Sequence, residues 1–250
     1  MPSSNLSGTT TLVTGATRGF GRAIAVAFHN AGADVVAVAR NREQLGQLRA
    51  ELGGSLVIVA ADVADPVVAG SLLEQYRPKT LVLNAGAAPL MRPIQHQTWQ
   101  TFSRNWEVDV QQAFHWIREA LLLPLAPQST VIAMSSGAAV FGSPLSGGYA
   151  GAKAAIRFMT AYAAEESLRQ GLGIRFASVL PKLTPATGLG AVATAAYAKR
   201  SSINLDEFVR QQGPTLEPED VGRHIADLAS STDQAPGAYL LTPAGLSLLP

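Results

Sequence analysis

The residues best equipped for chemistry are a hydroxyl, a phenol and an ammonium. Ser135-Ser136 follows the apolar run Val131–Met134, and Tyr149-Ala-Gly-Ala-Lys153 opens a long helix-period segment. Residues four apart share a helix face, so the Tyr149 hydroxyl and the Lys153 ammonium project into one site. A free tyrosine titrates near about 10, and a neighbouring cation stabilises the phenolate, which makes such a phenol a usable acid and base. Ser136, thirteen positions before the tyrosine and across a loop, is placed to hydrogen-bond a substrate carbonyl.

A glycine-rich turn near the N-terminus has the makings of a phosphate site. Thr11–Val13 runs into Thr14-Gly15-Ala16-Thr17-Arg18-Gly19-Phe20-Gly21, and a helix-period segment follows. Glycines at such a junction let the backbone approach a pyrophosphate, which the free N–H groups and dipole of the helix N-terminus favour. The spacing is glycine, three residues, glycine, one residue, glycine. That differs from the commoner G-x-G-x-x-G, and an ordinary tight strand-to-helix turn is the lesser alternative.

The next apolar run ends Ala39-Arg40-Asn41-Arg42. An NAD site carries a carboxylate there, about 20 residues past the glycines, to hold the ribose hydroxyls, whereas a basic residue favours a 2′-phosphate. Arg40, with Arg18 reaching from the glycine turn, therefore points to NADP(H) rather than NAD(H). Ala61-Asp62-Val63 and Leu83-Asn84-Ala85-Gly86 follow two further apolar runs. Asp62 suits an adenine amino group and Gly86 a close passage over a ribose, although both types also serve as cap and turn residues.

All of these residues sit at the ends of short aliphatic runs: Thr11–Val13, Val35–Val38, Leu56–Val59, Leu81–Leu83, Val131–Met134, Ile174–Leu180 and Ala238–Leu241. Helix-period segments alternate with them over about 19–31, 42–52, 66–76, 99–122, 149–170 and 218–230. Continuous apolar runs mark strands covered on both faces. The expected fold class is α/β, a single-domain Rossmann-like doubly wound parallel sheet of about seven strands, with helices on both faces, across residues 1–250. One stretch breaks the rhythm. After Pro181 an irregular and then alanine-rich excursion, about 183–213, leaves the end of a strand where a substrate lid is expected.

Composition excludes several functions. Of the 250 residues 47% are apolar and 15% charged, well below the roughly 25% charge of an ordinary soluble domain, so some surface is expected to lie between subunits. Nineteen basic against eighteen acidic residues leave a net charge of +1, without the attraction that nucleic acid or an anionic membrane requires. No apolar run nears the roughly 20 residues that span a bilayer, and the first ten residues carry no secretory or lipidation pattern, so a cytoplasmic protein is expected. There are no cysteines, and His29, His96, His115 and His224 lack ligand spacing, so no metal is expected. Trp99, Trp106 and Trp116 read as core or interface side chains.

Taken together and in this order, Thr14-Gly-x-x-x-Gly-x-Gly21, Asp62, Asn84-Ala85-Gly86, Ser136, Tyr149-x-x-x-Lys153 and Pro181 make the chain resemble the short-chain dehydrogenase/reductase family over nearly its whole length. The resemblance implies a nicotinamide cofactor, hydride transfer to or from a carbonyl or carbinol carbon, and a dimer or tetramer. It implies Tyr149 as acid/base, Ser136 as the residue orienting the substrate oxygen, and Lys153 as ribose-binding and phenolate-stabilising. The cofactor would be lined by Thr14, Gly15, Thr17, Arg18, Gly19, Phe20, Gly21, Arg40, Asp62, Val63, Asn84, Ala85, Gly86, Tyr149, Lys153, Pro181, Leu183 and Thr184.

Three departures stand out. Asp109 occupies the place of the asparagine that completes the family's catalytic tetrad and there helps to hold a water linking lysine to solvent. Pro181-Lys182 replaces a proline-glycine step, and either Thr184 or Thr187 answers to the usual cofactor-contacting threonine. The last strand runs into Leu241-Thr-Pro-Ala-Gly-Leu246, where many members have a glycine pair. The expected function is an NADP(H)-dependent oxidoreductase acting on a modest apolar carbonyl or alcohol, with Asp109 in its catalytic group. The alternative is a non-catalytic NADP(H)-binding redox sensor or regulatory subunit.

Overall fold

A computed structural model describes residues 5–53, 55–231 and 235–250. The apolar runs are strands: β1 (Thr10–Thr14), β2 (Asp34–Ala39), β3 (Val57–Ala60), β4 (Thr80–Leu83), β5 (Thr130–Met134), β6 (Arg175–Pro181), β7 (Gly237–Thr242) and β8 (Gly245–Leu248). They form one sheet in the order β3-β2-β1-β4-β5-β6-β7-β8, parallel throughout except for the β7–β8 pair. The order reverses between β1 and β4, and the crevice outside the carboxyl ends of strands at such a switch point is where α/β sheets bind ligands.

Ten α-helices join the strands among the described residues: α1 (Gly19–Asn30), α2 (Arg42–Leu52), α3 (Pro66–Tyr76), α4 (Trp99–Asn105), α5 (Gln111–Leu122), α6 (Ala138–Phe141), α7 (Gly147–Arg169), α8 (Gly188–Arg200), α9 (Leu205–Gln211) and α10 (Pro218–Ser230). Side-chain caps start several of them. Asn41 Oδ1 accepts from Gln44 N at 3.0 Å and Asp65 Oδ1 from Val67 N at 2.9 Å, satisfying amides that a helix start leaves free.

The pleat sends alternate strand residues to opposite faces. Val13, Val35, Ala37 and Val179 pack with Ile24 and Phe28 of α1, Leu45 of α2 and Ile225 of α10. Leu12, Val36, Leu81 and Val131 pack on the other face with Leu73 of α3, Trp116 of α5 and Ile156 of α7. Burying each of the larger aliphatic side chains contributes roughly 1.5–3 kcal/mol. This two-sided burial is what holds the carboxyl ends of β1, β4, β5 and β6 in a fixed row.

Four features differ from the sequence expectation. There are eight strands rather than about seven, because Pro243 and Ala244 form a two-residue turn that folds Gly245–Leu248 back on β7. The segment at 99–122 is not one α-helix: Trp106–Val110 is a π-helical stretch between α4 and α5, and Asp109 lies within it. In the excursion of 183–213 the alanine-rich piece is helical as expected, forming α8, but a second helix, α9, follows it, and Thr187 and Asn204 cap the two. A single 3₁₀ turn, Ile94–His96, precedes α4.

Candidate active site

The glycine turn and the end of β4 are packed backbone to backbone. A side chain at Gly21 would place its Cβ 2.2 Å from Gly15 O and 2.3 Å from Asn84 Nδ2. Gly15 itself has φ of +66°, with Ala85 Cα 2.8 Å from any added Cβ. Polar groups lock the two loops together. Thr14 Oγ1 donates to Gln112 Oε1 at 2.7 Å and accepts from Asn84 N at 2.9 Å and Ala85 N at 3.2 Å. Gln112 Nε2 in turn donates to Ala85 O at 3.1 Å, and Asn84 Nδ2 to Thr14 O at 3.2 Å. Thr14 is fully buried, so its side chain shapes the turn from beneath.

Above this floor α1 begins at Gly19 with no side-chain cap and no acidic residue in its first turn. The amides of Gly19, Phe20 and Gly21 are thus available to an anion. Arg18, its N-cap, and Arg40, at the end of β2, are exposed, and neither guanidinium has a partner among the described residues. Asp62 is exposed, with Oδ1 accepting from Ala64 N at 3.1 Å. Val63 beside it is buried, and its carbonyl accepts from Trp116 Nε1 at 2.9 Å, pinning the β3–α3 loop to α5. A nicotinamide dinucleotide fits this arrangement: the floor is cut to backbone thickness, and the groups around it are free amides and unpaired cations.

At the other side of the switch point the two serines divide their work. Ser135 Oγ donates to Lys153 O at 2.7 Å and ties α7 to β5, while Ser136 is half-buried and its Oγ accepts only from Ala138 N at 3.2 Å. Tyr149 is half-buried in the first turn of α7, and its hydroxyl has no hydrogen-bond partner among the described residues. Lys153, one turn on, is buried with Nζ 5.6 Å from the Tyr149 ring centre, and donates to Met134 O at 3.1 Å.

Asp109 completes the group. It is fully buried, and its Oδ2 faces Lys153 Nζ at 3.1 Å as an ion pair, with no other partner for that oxygen. Oδ1 accepts from Ala87 N at 2.8 Å, and Asn105 Nδ2 donates to Ala87 O at 2.7 Å, so two side chains four apart clamp both backbone polar groups of one residue in the chain after β4. Gly86 is needed for this approach, since a Cβ there would sit 2.7 Å from Asp109 Oδ2. Burial opposes the Lys153 charge and is the largest single influence on it, yet Asp109 and then Tyr149 outweigh it together and hold the lysine pKa above its ordinary value.

The segment after β6 closes the row. Pro181 O accepts from Gly137 N at 3.0 Å, and Lys182 Nζ donates to Gln212 O, tying the far end of the excursion back to β6. Leu183 is half-buried. Thr184 is buried, its Oγ1 accepting from Ala186 N at 3.2 Å, whereas Thr187 lies 3.7 Å from the Cβ position of Gly19. Of the two candidate threonines, Thr187 is the one beside the glycine turn. Gln112 and Asn105 carry no sequence signal of these roles, because lone amides within a helix-period segment have no recognisable spacing.

A family model described as short chain dehydrogenase matches residues 9–197. The chain belongs to the short-chain dehydrogenase/reductase family. It is 36% identical over 147 residues to a short chain dehydrogenase/reductase of Macrophomina phaseolina, covering 54% of this chain and 84% of that protein. It is 27% identical over 224 residues to a sorbitol dehydrogenase of Cereibacter sphaeroides, covering 87% and 86%. The L-sorbose reductase of Gluconobacter frateurii, solved with NADPH and L-sorbose, superposes with a TM-score of 0.80 at 24% identity over 99% and 100% of the two chains. A member of this oxidoreductase family therefore carries aspartate paired to its lysine. The match ends at Tyr197, so the end of α8, together with α9, α10 and the C-terminal hairpin, lies beyond it.

Proposed function

We propose that this short-chain dehydrogenase/reductase is an NADP(H)-dependent oxidoreductase of carbonyl and alcohol carbons, formed by one catalytic domain over 1–250 with a substrate lid at about 183–213. The observation that carries the reading is the unpartnered Tyr149 hydroxyl one turn from the buried Lys153 ammonium, at the carboxyl edge of the sheet. Free amides at Gly19–Gly21 would hold the pyrophosphate, Arg18 and Arg40 the 2′-phosphate, and Asp62 the adenine. The backbone of 84–86, with Lys153 and Thr187, would line the nicotinamide half. When bound, the nicotinamide supplies or accepts the hydride.

The chain's own residues handle the proton. Ser136 Oγ, whose hydrogen is free to turn outward, donates to the substrate oxygen and aligns it on Tyr149. The Tyr149 hydroxyl delivers its proton to that oxygen as it gains charge, and takes one back in the reverse direction. Lys153 holds positive charge beside the phenolate that remains. Asp109 fixes the ammonium in place and keeps it charged. A ketose and NADPH in the sorbose reductase structure, and the sorbitol dehydrogenase relative, are in keeping with this chemistry.

The same reading includes a cytoplasmic homo-oligomer, dimer or tetramer. Phe158 and Tyr162 stack at 6.3 Å on the outer face of α7, both more than half exposed, and Phe114 of α5 is 50% exposed. Oxidation of NADPH across a panel of ketones and aldehydes tests the function. Substrate-dependent turnover is expected. Tight NADPH binding without turnover of any of them would leave the redox-sensor reading instead.

A further inference from the structure

A cavity of about 390 Å³ opens beside the start of α7, reaching Gly147, two residues before Tyr149. That volume is at the small end of ligand pockets, about 300–1,000 Å³. Ile94, Phe102 and Pro144 give it an apolar floor. Its polar wall contains Gln95, Gln97 and Arg200, and no carboxylate. Gln97 Nε2 is spent on Arg92 O at 2.8 Å, and Arg200 has no ion-pair or hydrogen-bond partner among the described residues.

The lid itself delivers that arginine. The Tyr197 hydroxyl is hydrogen-bonded to Ser143, which is also bonded to Ser146 at the start of α7, so α8 is latched across the loop that leads into α7, the helix of Tyr149. Arg200 is three residues beyond Tyr197 on the same helix and therefore faces the same way, over the cavity. An unpaired guanidinium, a free glutamine amide and the absence of any acid form a wall of donors, which suits a planar anion accepting two hydrogen bonds.

Resting on the carbonyl-reductase reading above, we propose that this cavity takes the far end of the substrate, that this end carries a carboxylate, and that Arg200 selects it. The substrate class is then a short oxo acid, or the hydroxy acid it becomes, with an aliphatic spacer lying on Ile94 and Phe102. Arg200 lies three residues past the segment matched to the family.

The test compares straight-chain oxo acids of increasing spacer length with their methyl esters, using NADPH and the wild-type, Arg200→Gln and Arg200→Lys proteins. Because the guanidinium is exposed, the acid is expected to be preferred by about five- to tenfold in kcat/KM, mainly through KM. Raising the salt should erode that preference. Arg200→Gln should lower kcat/KM for the acids to that variant's own value for the matching esters, so that the acid-to-ester ratio falls to about one, and Arg200→Lys should keep part of the preference. Equal use of acids and esters by the wild type, or an acid preference that survives Arg200→Gln, overturns the proposal while leaving the reductase reading intact. Turnover of neither series nor of any other carbonyl overturns both.

Discussion

Replacing Asp109 separates its charge from its shape. The Asp109→Asn variant keeps an oxygen for Ala87 N and nearly the same volume, but removes the negative charge that lies 3.1 Å from Lys153 Nζ. Since that ammonium is 5.6 Å from the Tyr149 ring centre, the carboxylate oxygen is no more than about 9 Å from the ring. The phenolate oxygen lies about 3 Å beyond the ring centre, so at an effective dielectric of about 20 an anion up to about 11 Å from it raises its energy by at least about 1.5 kcal/mol, about tenfold in an equilibrium constant. In the proposed mechanism alcohol oxidation draws on the deprotonated tyrosine, so its rise with pH should move about one unit towards acid in Asp109→Asn. Ketone reduction should lose activity at a correspondingly lower pH. Full pH–rate profiles in both directions are the assay, and superimposable profiles would refute the claim that the carboxylate is felt at Tyr149.

Stability offers an independent check on the same pair. Asp109→Ala leaves a buried ammonium unpaired and should cost about 3–5 kcal/mol by chemical denaturation. The sign with pH follows from the raised Lys153 value: the pair's contribution is full below the ordinary lysine range of about 10.4 and is lost only as pH climbs through the higher native value. Stability at neutral pH should therefore be flat with respect to this group, and an Asp109→Ala protein as stable as wild type would contradict the burial argument.

Two further outcomes concern the cofactor. Arg40→Asp should turn preference from NADPH towards NADH by about tenfold or more, the lower end of a charge-assisted contact because the guanidinium is exposed, and fluorescence titration with both dinucleotides measures it. Gly21→Ala should weaken both dinucleotides together and lower the melting temperature, because its methyl would overlap Gly15 O, and unchanged affinity would mean that the floor relaxes freely.

Much of this arrangement is legible without coordinates, because a two-sided parallel sheet writes itself as continuous apolar runs such as Val35–Val38, and its ligand groups fall directly after them. Less legible are features set by long-range contact. The Gly245–Leu248 strand is short and partly exposed, so its alternation is too brief to announce an eighth strand. The π-helical stretch at Trp106–Val110 has no sequence period of its own; it exists where Asn105 and Asp109 must both reach Ala87. Aspartate at position 109 was visible, but only the fold reveals that its carboxylate meets the lysine directly, since Gly86 leaves room for it. Thr184 and Thr187 could be told apart only once the lid turn buried the first and set the second beside Gly19.

The central claim is that the Tyr149 hydroxyl is the proton donor of a working NADP(H) oxidoreductase. Tyr149→Phe removes that hydroxyl and leaves the ring in place, so NADPH affinity and turnover can be measured on the same protein. The account predicts a dissociation constant for NADPH within about twofold of wild type and a fall in kcat of about 100- to 10,000-fold, the usual worth of general acid catalysis. Retention of kcat close to the wild-type value on a turned-over carbonyl substrate would contradict it.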